Sequence, residues 1–209
     1  GLGKGCALAL AREGVDVVIN ARGAEALHAT AAEIRDATGV QVTAVVGDVT
    51  SAEGRAALLA ACPQPDILVN NAGGPPIGDF REHHRHAGVT AMYLSTSAGL
   101  RLSQSNGARA GLTGFVAGLA RQVAKHNVTI NNLLPGPFAT DRQTDGLRKL
   151  AAKAGQDYDT FARAQMAAVP ANRFGTPEEF GQACAFLCSA EAGFIVGQNL
   201  LIDGGQFNS

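Results

Sequence analysis

The sequence predicts an α/β protein built on a doubly wound parallel sheet. Short apolar runs rich in valine and isoleucine alternate along the chain with helical patterns of apolar residues. The runs are continuously apolar, which is typical of strands buried on both faces of a parallel sheet. Turns rich in glycine, asparagine or aspartate follow these runs. Because such sheets bind ligands at the carboxyl ends of their strands, we expect a ligand site at that edge of a single domain over residues 1–209.

The first half of the chain gives the elements in a regular order. Gly39 stops the second helical pattern, and Pro63 and Pro65 close the third. The predicted elements are a helix over Cys6–Arg12, a strand over Val15–Asn20, a helix over Ala24–Thr38, a strand over Val42–Val46, a helix over Ser51–Ala61 and a strand over Ile67–Val69.

The second half continues the alternation. Thr176 as N-cap and Pro177 at the first helical position start its last helix. The predicted elements are a strand-like run over Val89–Leu94, a helix over Ala110–Ala124, a strand over Val128–Leu134 that Pro135-Gly136-Pro137 ends, a helix over Pro177–Cys188 and a strand over Gln198–Ile202.

Two places depart from this order. The chain opens at Gly1-Leu2-Gly3 directly into a helical pattern, whereas a phosphate-binding glycine turn normally follows a strand. The interval Gly74–Ala87 contains two prolines and is too short for a crossover helix, since a strand-helix-strand unit takes about 30 residues. We therefore expect that a first strand and one crossover helix are absent from the chain, which would leave two unpaired edges in the sheet.

Composition excludes several partner classes. A net charge of −1 offers no basic patch, so neither nucleic acid nor an anionic membrane is an expected partner. Cys184 and Cys188 share a helix face without a histidine at metal spacing, so we interpret the four cysteines as small buried groups in a reducing compartment, and the protein as cytoplasmic. The run Glu82–His86 fits no closed coordination set and is interpreted as a solvated loop rather than a metal site. Its histidines could instead act as general acids.

Two features indicate a dinucleotide site. The glycines of Gly1-Leu2-Gly3 allow close approach of a pyrophosphate to a helix N-terminus, which carries unpaired N–H groups and a partial positive charge. At the strand end Asn20-Ala21-Arg22, an acidic residue would bind both ribose hydroxyls of NAD(H), but none is present. Arg22 is placed to bind a 2′-phosphate, which favours NADP(H) over NAD(H). The alternative is a solvated surface arginine.

Five motifs carry a family resemblance. Over nearly the whole chain except Phe80–Gln104, their order and spacing are similar to those of the short-chain dehydrogenase/reductase family, nearest in type to its 3-oxoacyl-carrier-protein reductase-like members. The motifs are Gly1-Leu2-Gly3, Asp48-Val49, Asn70-Asn71-Ala72-Gly73, Pro135-Gly136 and Asp203-Gly204-Gly205.

The resemblance implies a Rossmann-type fold and assigns a part of the cofactor to each turn. It implies that the first glycine turn binds pyrophosphate, that the Asp48-Val49 turn contacts adenine through Asp48, and that Asn71, Ala72 and Gly73 line the ribose. Pro135 and Gly136, with Thr140, would hold the nicotinamide carboxamide.

The catalytic residues of the family are only partly present. Its members use Asn, Ser, Tyr and Lys, but neither Tyr93 nor Tyr158 has a lysine four residues on. Alignment on the Ala110–Ala124 helix places Ser105 at the tyrosine position and Arg109 at the lysine position. Thr96 or a neighbour would polarise the substrate oxygen.

These replacements change the acid chemistry of the site. Serine is a far weaker acid than a phenol of pKa about 10. Arg109 can hold a ribose hydroxyl but cannot release a proton.

The sequence leaves two functions open. One is NADP(H)-dependent hydride transfer between the nicotinamide and a carbonyl or secondary alcohol, and the other is a catalytically impaired homologue that acts as a binding or structural subunit. In the family, the segment corresponding to residues 141–170 is a mobile lid. Here its apolar residues either line a substrate site or pack a helix pair; they are Leu147, Leu150, Phe161 and Met166. Glycines on the Ala110–Ala124 helix favour a homodimer or homotetramer, or close packing on the helix's own sheet.

Overall fold

The computed structural model of the protein describes residues 1–71 and 104–207, and for 104–110 it describes the backbone alone. The helices are α1 (Leu2–Arg12), α2 (Ala24–Thr38), α3 (Ala52–Ala61), α4 (Gln104–Val123), α5 (Asp141–Lys153), α6 (Tyr158–Ala167) and α7 (Pro177–Leu187). The strands are β1 (Val17–Ala21), β2 (Val42–Val46), β3 (Asn132–Pro135) and β4 (Asn199–Ile202). Within these ranges, no helix has the length and apolar character that crossing a bilayer requires.

The described strands form two parallel pairs. β1 pairs with β2, with Ala21 opposite Val46 at the carboxyl end. β3 pairs with β4, with Pro135 opposite Ile202. Parallel pairing agrees with the continuously apolar runs, which predict strands buried on both faces. In each pair the carboxyl ends lie side by side, so the turns that follow neighbouring strands also lie side by side.

One predicted strand is wrong, and another is shorter than predicted. Ile67–Val69 is not a strand. Ile67 packs against a hydrophobic cluster, but Leu68 is 73% exposed. A β-branched run favours burial, but a strand also needs a neighbouring backbone to bond with, and residues 67–69 take part in neither described sheet. In the predicted strand Val128–Leu134, only the last three residues are in β3. Val89–Leu94 lies outside the described residues.

The helix ends agree with the sequence-based predictions more closely than the strands do. α2 has the predicted bounds, and Gly39 ends it in the left-handed conformation with φ 77°, which only glycine adopts without strain. α7 begins with a capping box between Thr176 and Glu179, as the threonine predicts, and ends at Leu187. α4 begins at Gln104, earlier than the predicted Ala110. Glycine and capping residues in the sequence therefore locate helix ends better than apolar runs locate strands.

The close crossing of α1 and α7 joins the two halves of the described structure. A methyl group on Gly5 would lie 2.1 Å from the carbonyl oxygen of Pro177, and one on Gly181 would lie 2.2 Å from the carbonyl oxygen of Gly5. The two backbones therefore touch where any side chain would hold them apart. Hydrophobic clusters lie on either side of the contact, one around Leu10 and Ile34 and the other around Cys6, Phe138, Phe180 and Cys184.

Candidate functional site

The glycine turn at the start of α1 lies against Asn71. Gly1 is the N-cap residue of α1, so unpaired backbone N–H groups of the first helical turn begin at this point. A methyl group on Gly3 would lie 2.9 Å from Nδ2 of Asn71. The structure therefore brings together two of the residues predicted to bind the cofactor. A methyl group on Gly1 would meet nothing within 4 Å, so the helix N-terminus is open to an anion there.

Leu2 connects this turn to the turn that follows β3. Its side chain packs against the cluster that contains Phe138 and Phe180, whose rings meet edge to face with centroids 5.4 Å apart. Phe138 comes directly after Pro135-Gly136-Pro137. Because one apolar cluster supports both turns, the glycine turn and the turn after β3 lie at the same edge of the fold.

Arg22 and Asp48 lie next to each other at the ends of β1 and β2. The parallel register sets Ala21 opposite Val46, so the residues that follow the two strands are neighbours. Two hydrogen bonds from Thr50 lower the pKa of Asp48, and the nearby Arg22 guanidinium contributes to the lowering. Asp48 is therefore a carboxylate, and exposed Arg22 supplies a positive charge beside it. The pair presents one hydrogen-bond acceptor and one anion-binding group to a ligand at this edge.

The Asp48-Val49 turn is held in place by α3. Oδ1 of Asp48 accepts from the backbone N–H of Thr50 at 2.9 Å and from its hydroxyl at 2.7 Å. The guanidinium of Arg55 donates to the carbonyl oxygen of Val49 at 3.1 Å. A methyl group on Gly54 would lie 2.0 Å from the carbonyl oxygen of Asp48. The first turn of α3 therefore packs directly on this loop and fixes the position of the Asp48 carboxylate.

Asn20 is a positioning residue that the sequence analysis missed. Its Nδ2 donates to the carbonyl oxygen of Val45 at 2.7 Å and to that of Gly47 at 3.1 Å. These bonds tie the end of β1 to the turn after β2, the two places that carry Arg22 and Asp48. An asparagine near the end of an otherwise apolar strand was the available signal, since a partly buried amide needs hydrogen-bond partners.

The turn after β3 is tightly packed. The backbone N–H of Gly136 donates to the carbonyl oxygen of Ile202 at 2.8 Å, and a methyl group on Gly136 would lie 2.5 Å from Cβ of Asp203. Thr140 is the N-cap of α5, and its hydroxyl accepts from the backbone N–H of Gln143 at 3.3 Å. The structure thus places Pro135 at the end of β3, and Gly136 and Thr140 on the short connection from there to α5.

Most of the residues predicted to carry the chemistry lie outside the part of the chain that the structure describes, or have only their backbone described. Thr96, Ala72 and Gly73 lie outside the described residues, as does the run Glu82–His86. Ser105 and Arg109 lie in the first part of α4, one helical turn apart. In the described ranges no group of three or more His, Cys, Asp or Glu residues is arranged to hold a metal ion.

The segment 141–170 forms a helix pair. α5 and α6 pack on each other, and the pair buries Leu147 and Ala162. Leu150 is exposed, whereas Phe161 and Met166 are half-buried. Of the two interpretations of these apolar residues, helix-pair packing accounts for Leu147.

Two family models together match residues 1–206 of the chain. A model described as short chain dehydrogenase matches residues 1–105, and a model described as enoyl-(acyl carrier protein) reductase matches residues 89–206. The chain belongs to the short-chain dehydrogenase/reductase family. The resemblance carried by the five sequence motifs is therefore confirmed.

Curated relatives match this family member along nearly its whole length. The 3-oxoacyl-[acyl-carrier-protein] reductase of Vibrio cholerae is 31% identical, over 99% of this chain and 93% of the relative. The gluconate 5-dehydrogenase of Gluconobacter oxydans is 30% identical, over 98% of this chain and 90% of the relative. The Vibrio cholerae alignment spans 242 positions against a chain of 209 residues, so that relative has residues inside the aligned region that this family member lacks.

Solved structures confirm the predicted Rossmann-type α/β fold. L-sorbose reductase from Gluconobacter frateurii, complexed with NADPH and L-sorbose, superposes with a TM-score of 0.88 at 25% identity, covering 100% of this chain and 93% of that one. The NADPH-dependent reductase involved in bacilysin biosynthesis has a TM-score of 0.87 at 25% identity, covering 100% and 95%. The short-chain dehydrogenase/reductase described here therefore shares its architecture with reductases of this family.

Proposed function

We propose that the protein is an NADP(H)-dependent oxidoreductase that acts on a carbonyl or secondary-alcohol substrate. The observation that carries the proposal is the placement of Arg22 beside Asp48, at the edge where Gly3 also meets Asn71. Membership of the short-chain dehydrogenase/reductase family supports the reaction type. Relatives and structural neighbours that are named as NADPH-dependent or complexed with NADPH support the choice of nucleotide.

The described residues fit a phosphorylated dinucleotide. The open space at Gly1 suits a pyrophosphate at the N-terminus of α1, where backbone N–H groups and the helix dipole favour an anion. Arg22 would bind the 2′-phosphate by charge-assisted hydrogen bonds, and Asp48 would accept a hydrogen bond from adenine.

The other residues predicted to bind the cofactor would contact the remaining parts of the nucleotide. Val49 lies beside Asp48, whereas Asn71, Ala72 and Gly73 would line the ribose. Pro135, Gly136 and Thr140 would contact the carboxamide.

The bound nucleotide supplies the hydride, and the residues of this chain supply position and a proton. Arg109 would hold a ribose hydroxyl through its fixed positive charge, since a guanidinium keeps its proton. Thr96 or a neighbour would donate a hydrogen bond to the substrate oxygen. Ser105 would pass a proton from water to that oxygen, which makes proton transfer slower than from a phenol near neutral pH because serine is the weaker acid.

The cofactor proposal is tested by titrating the protein with NADPH and NADH while nucleotide fluorescence is followed. Arg22→Asp is expected to weaken NADPH binding by a factor of about ten or more, as for loss of one charge-assisted contact, and to leave NADH binding nearly unchanged. Arg163→Asp, at an exposed position in α6, is the matched control for the charge change. Equal losses of NADPH and NADH affinity in Arg22→Asp would remove the phosphate assignment.

The reaction is tested with a panel of small carbonyl compounds under NADPH, followed by nucleotide absorbance. The double variant Ser105→Tyr/Arg109→Lys restores a phenol and an ammonium at positions one helical turn apart. Its activity is expected to exceed that of the parent chain, because the phenol is a stronger acid than serine. If neither protein turns over any carbonyl while both bind NADPH, the chain is instead a cofactor-binding subunit.

We also propose that the protein forms homodimers or homotetramers through α4 and that it works in the cytoplasm. Methyl groups placed at Gly111, Gly114 or Gly118 would meet no described atom within 4 Å, and Phe115 beside them is 66% exposed. Sedimentation velocity is expected to give a particle of at least twice the chain mass, and Phe115→Asp is expected to shift it towards the monomer. The four free cysteines suit a reducing compartment.

A further inference from the structure

Three free thiols meet between α1 and α7. Cys6 of α1 is 2% exposed and Cys184 of α7 is 4% exposed, and both belong to the cluster that includes Phe138 and Phe180. Cys188, the C-cap residue of α7, packs against the same cluster. The contact of Gly5 with Gly181 sets this arrangement, because it brings the two helix backbones together one residue before Cys6 and less than one turn before Cys184.

Hydrogen bonds join the three sulfur atoms in a row and make them unequal. The hydrogen bond from Cys184 lowers the pKa of Cys6 in spite of its burial. The hydrogen bond from Cys188 by itself lowers the pKa of Cys184. The hydrogen bond that Cys184 donates to Cys6, together with burial, has the larger combined effect and raises the pKa of Cys184 to about 12. Donation to Cys184, with burial, raises the pKa of Cys188. Cys6 is therefore the thiol that ionises first, and the thiolate is the nucleophilic form of cysteine.

Helix geometry decides which pair can be joined. Residues four apart on one helix have Cβ atoms about 5–6 Å apart. A disulfide requires a Cβ separation of about 3.5–4.5 Å, so bridging Cys184 to Cys188 would distort the end of α7. Cys6 and Cys184 lie on different helices at a close crossing, and both side chains belong to one buried cluster. We propose that Cys6 and Cys184 form a modification site, a dithiol that small hydroperoxides oxidise to a disulfide between α1 and α7.

A groove reaches one end of this group of thiols, at Cys188. The groove has a volume of about 420 Å³ and runs between α1 and α7, where Leu8, Ile67 and Phe186 line it. Cys188 also lines it, so the row of sulfur atoms begins at its wall. Cys6 and Cys184 do not line the groove and are nearly fully buried, so an oxidant must pass beyond the groove wall to reach them. The proposed site would therefore admit hydrogen peroxide and exclude a bulky disulfide such as glutathione disulfide.

The reaction balances with one hydroperoxide for two thiols. The Cys6 thiolate attacks the terminal oxygen of the hydroperoxide, the O–O bond breaks, and the alkoxide or hydroxide that leaves takes a proton to become an alcohol or water. Cys6 is then a sulfenic acid. The Cys184 sulfur attacks the Cys6 sulfur and displaces hydroxide, which leaves as water with the proton of Cys184. Two thiols are oxidised, and one hydroperoxide is reduced.

The test maps disulfides in the folded, full-length protein after treatment with a graded series of hydrogen peroxide. Remaining thiols are blocked with maleimide, and peptides are identified by mass spectrometry with and without reduction. A cross-link between the peptides of Cys6 and Cys184 is expected to appear before oxidation of half-buried Cys62, and dithiothreitol is expected to reverse it. Oxidation of Cys62 while Cys6 and Cys184 remain free thiols would overturn the proposal.

Two variants and a second oxidant complete the experiment. Cys188→Ala is expected to keep the Cys6–Cys184 cross-link, and Cys184→Ala is expected to abolish it. A cross-link that maps to Cys184 and Cys188, or that disappears in Cys188→Ala, would overturn the assignment of the pair. Glutathione disulfide is expected to give far less cross-link than hydrogen peroxide at equal concentration. The reverse order would contradict the role of the groove.

Discussion

The contact between α1 and α7 predicts that alanine at Gly5 destabilises the protein. The added methyl group would lie 2.1 Å from the carbonyl oxygen of Pro177, whereas ordinary contact begins at 3.4 Å. The obstacle is backbone rather than a flexible side chain, so α1 and α7 must separate by about 1 Å. Separation would loosen the cluster around Cys6, Phe180 and Cys184, which depends on this spacing.

The size of the effect follows from two opposing terms. Overpacking of this kind costs about 1–3 kcal/mol. Replacing glycine by alanine inside a helix contributes roughly 1 kcal/mol in favour of the folded state. Because the clash involves backbone on both sides, the cost is expected to lie at the upper end, which leaves a net loss of about 2 kcal/mol. For a domain of this size, that loss lowers the thermal midpoint by about 4–8 °C.

Gly146→Ala is the matched control for this substitution. Gly146 lies within α5, and a methyl group there would meet no described atom within 4 Å. The same replacement is therefore expected to raise stability by about 0.5–1 kcal/mol. Urea unfolding followed by circular dichroism measures both variants against the parent chain. Equal shifts in the same direction for Gly5→Ala and Gly146→Ala would refute the close crossing.

Three further predictions concern the strand ends and the start of α7. Asn20→Ala removes two hydrogen bonds to carbonyl oxygens and is expected to cost about 1–3 kcal/mol in urea unfolding while weakening NADPH binding; unchanged NADPH affinity would contradict its positioning role. Thr176→Ala removes the capping box and is expected to cost about 1 kcal/mol, whereas a neutral result would contradict the cap geometry. Hydrogen bonds from Arg173 and Thr176 lower the pKa of Glu179 from 4.5 to about 2, so its contribution to stability is complete above pH 4.5 and is lost as the pH falls towards 2. The difference in thermal midpoint between the parent and Glu179→Gln is expected to shrink over that window, and a constant difference would contradict the assignment.

The predictable part of the fold was the part that local chemistry determines. Gly39 ends α2 because glycine alone adopts φ 77° without strain, and Thr176 starts α7 because its hydroxyl satisfies a helix N–H. Ile67–Val69 was predicted as a strand and is not one, since a strand depends on a partner elsewhere in the chain. Gly5 was not singled out, although a glycine within a helical pattern often marks a close approach of another backbone.

The same distinction applies to the candidate site. Some of its geometry could be predicted from the sequence, and some depends on contacts between segments that are far apart in the chain. Arg22 and Asp48 could be related from the sequence, because two parallel strands of similar length end at the same edge. The position of Asn20 at the end of an apolar strand indicates that it needs hydrogen-bond partners, but which acceptors it binds could not be predicted, because they belong to a strand and turn whose register the sequence does not specify. The contact of Asn71 with Gly3 likewise depends on how α1 sits over the strand ends. The functions of Thr96, Ser105 and Arg109 stay predictions.

A crystal structure of the protein with bound NADPH tests the central claim most directly. The pyrophosphate is expected at Gly1–Gly3, the 2′-phosphate within hydrogen-bond distance of the Arg22 guanidinium, and adenine beside Asp48. Nucleotide bound elsewhere, with this edge of the strands empty, would contradict it.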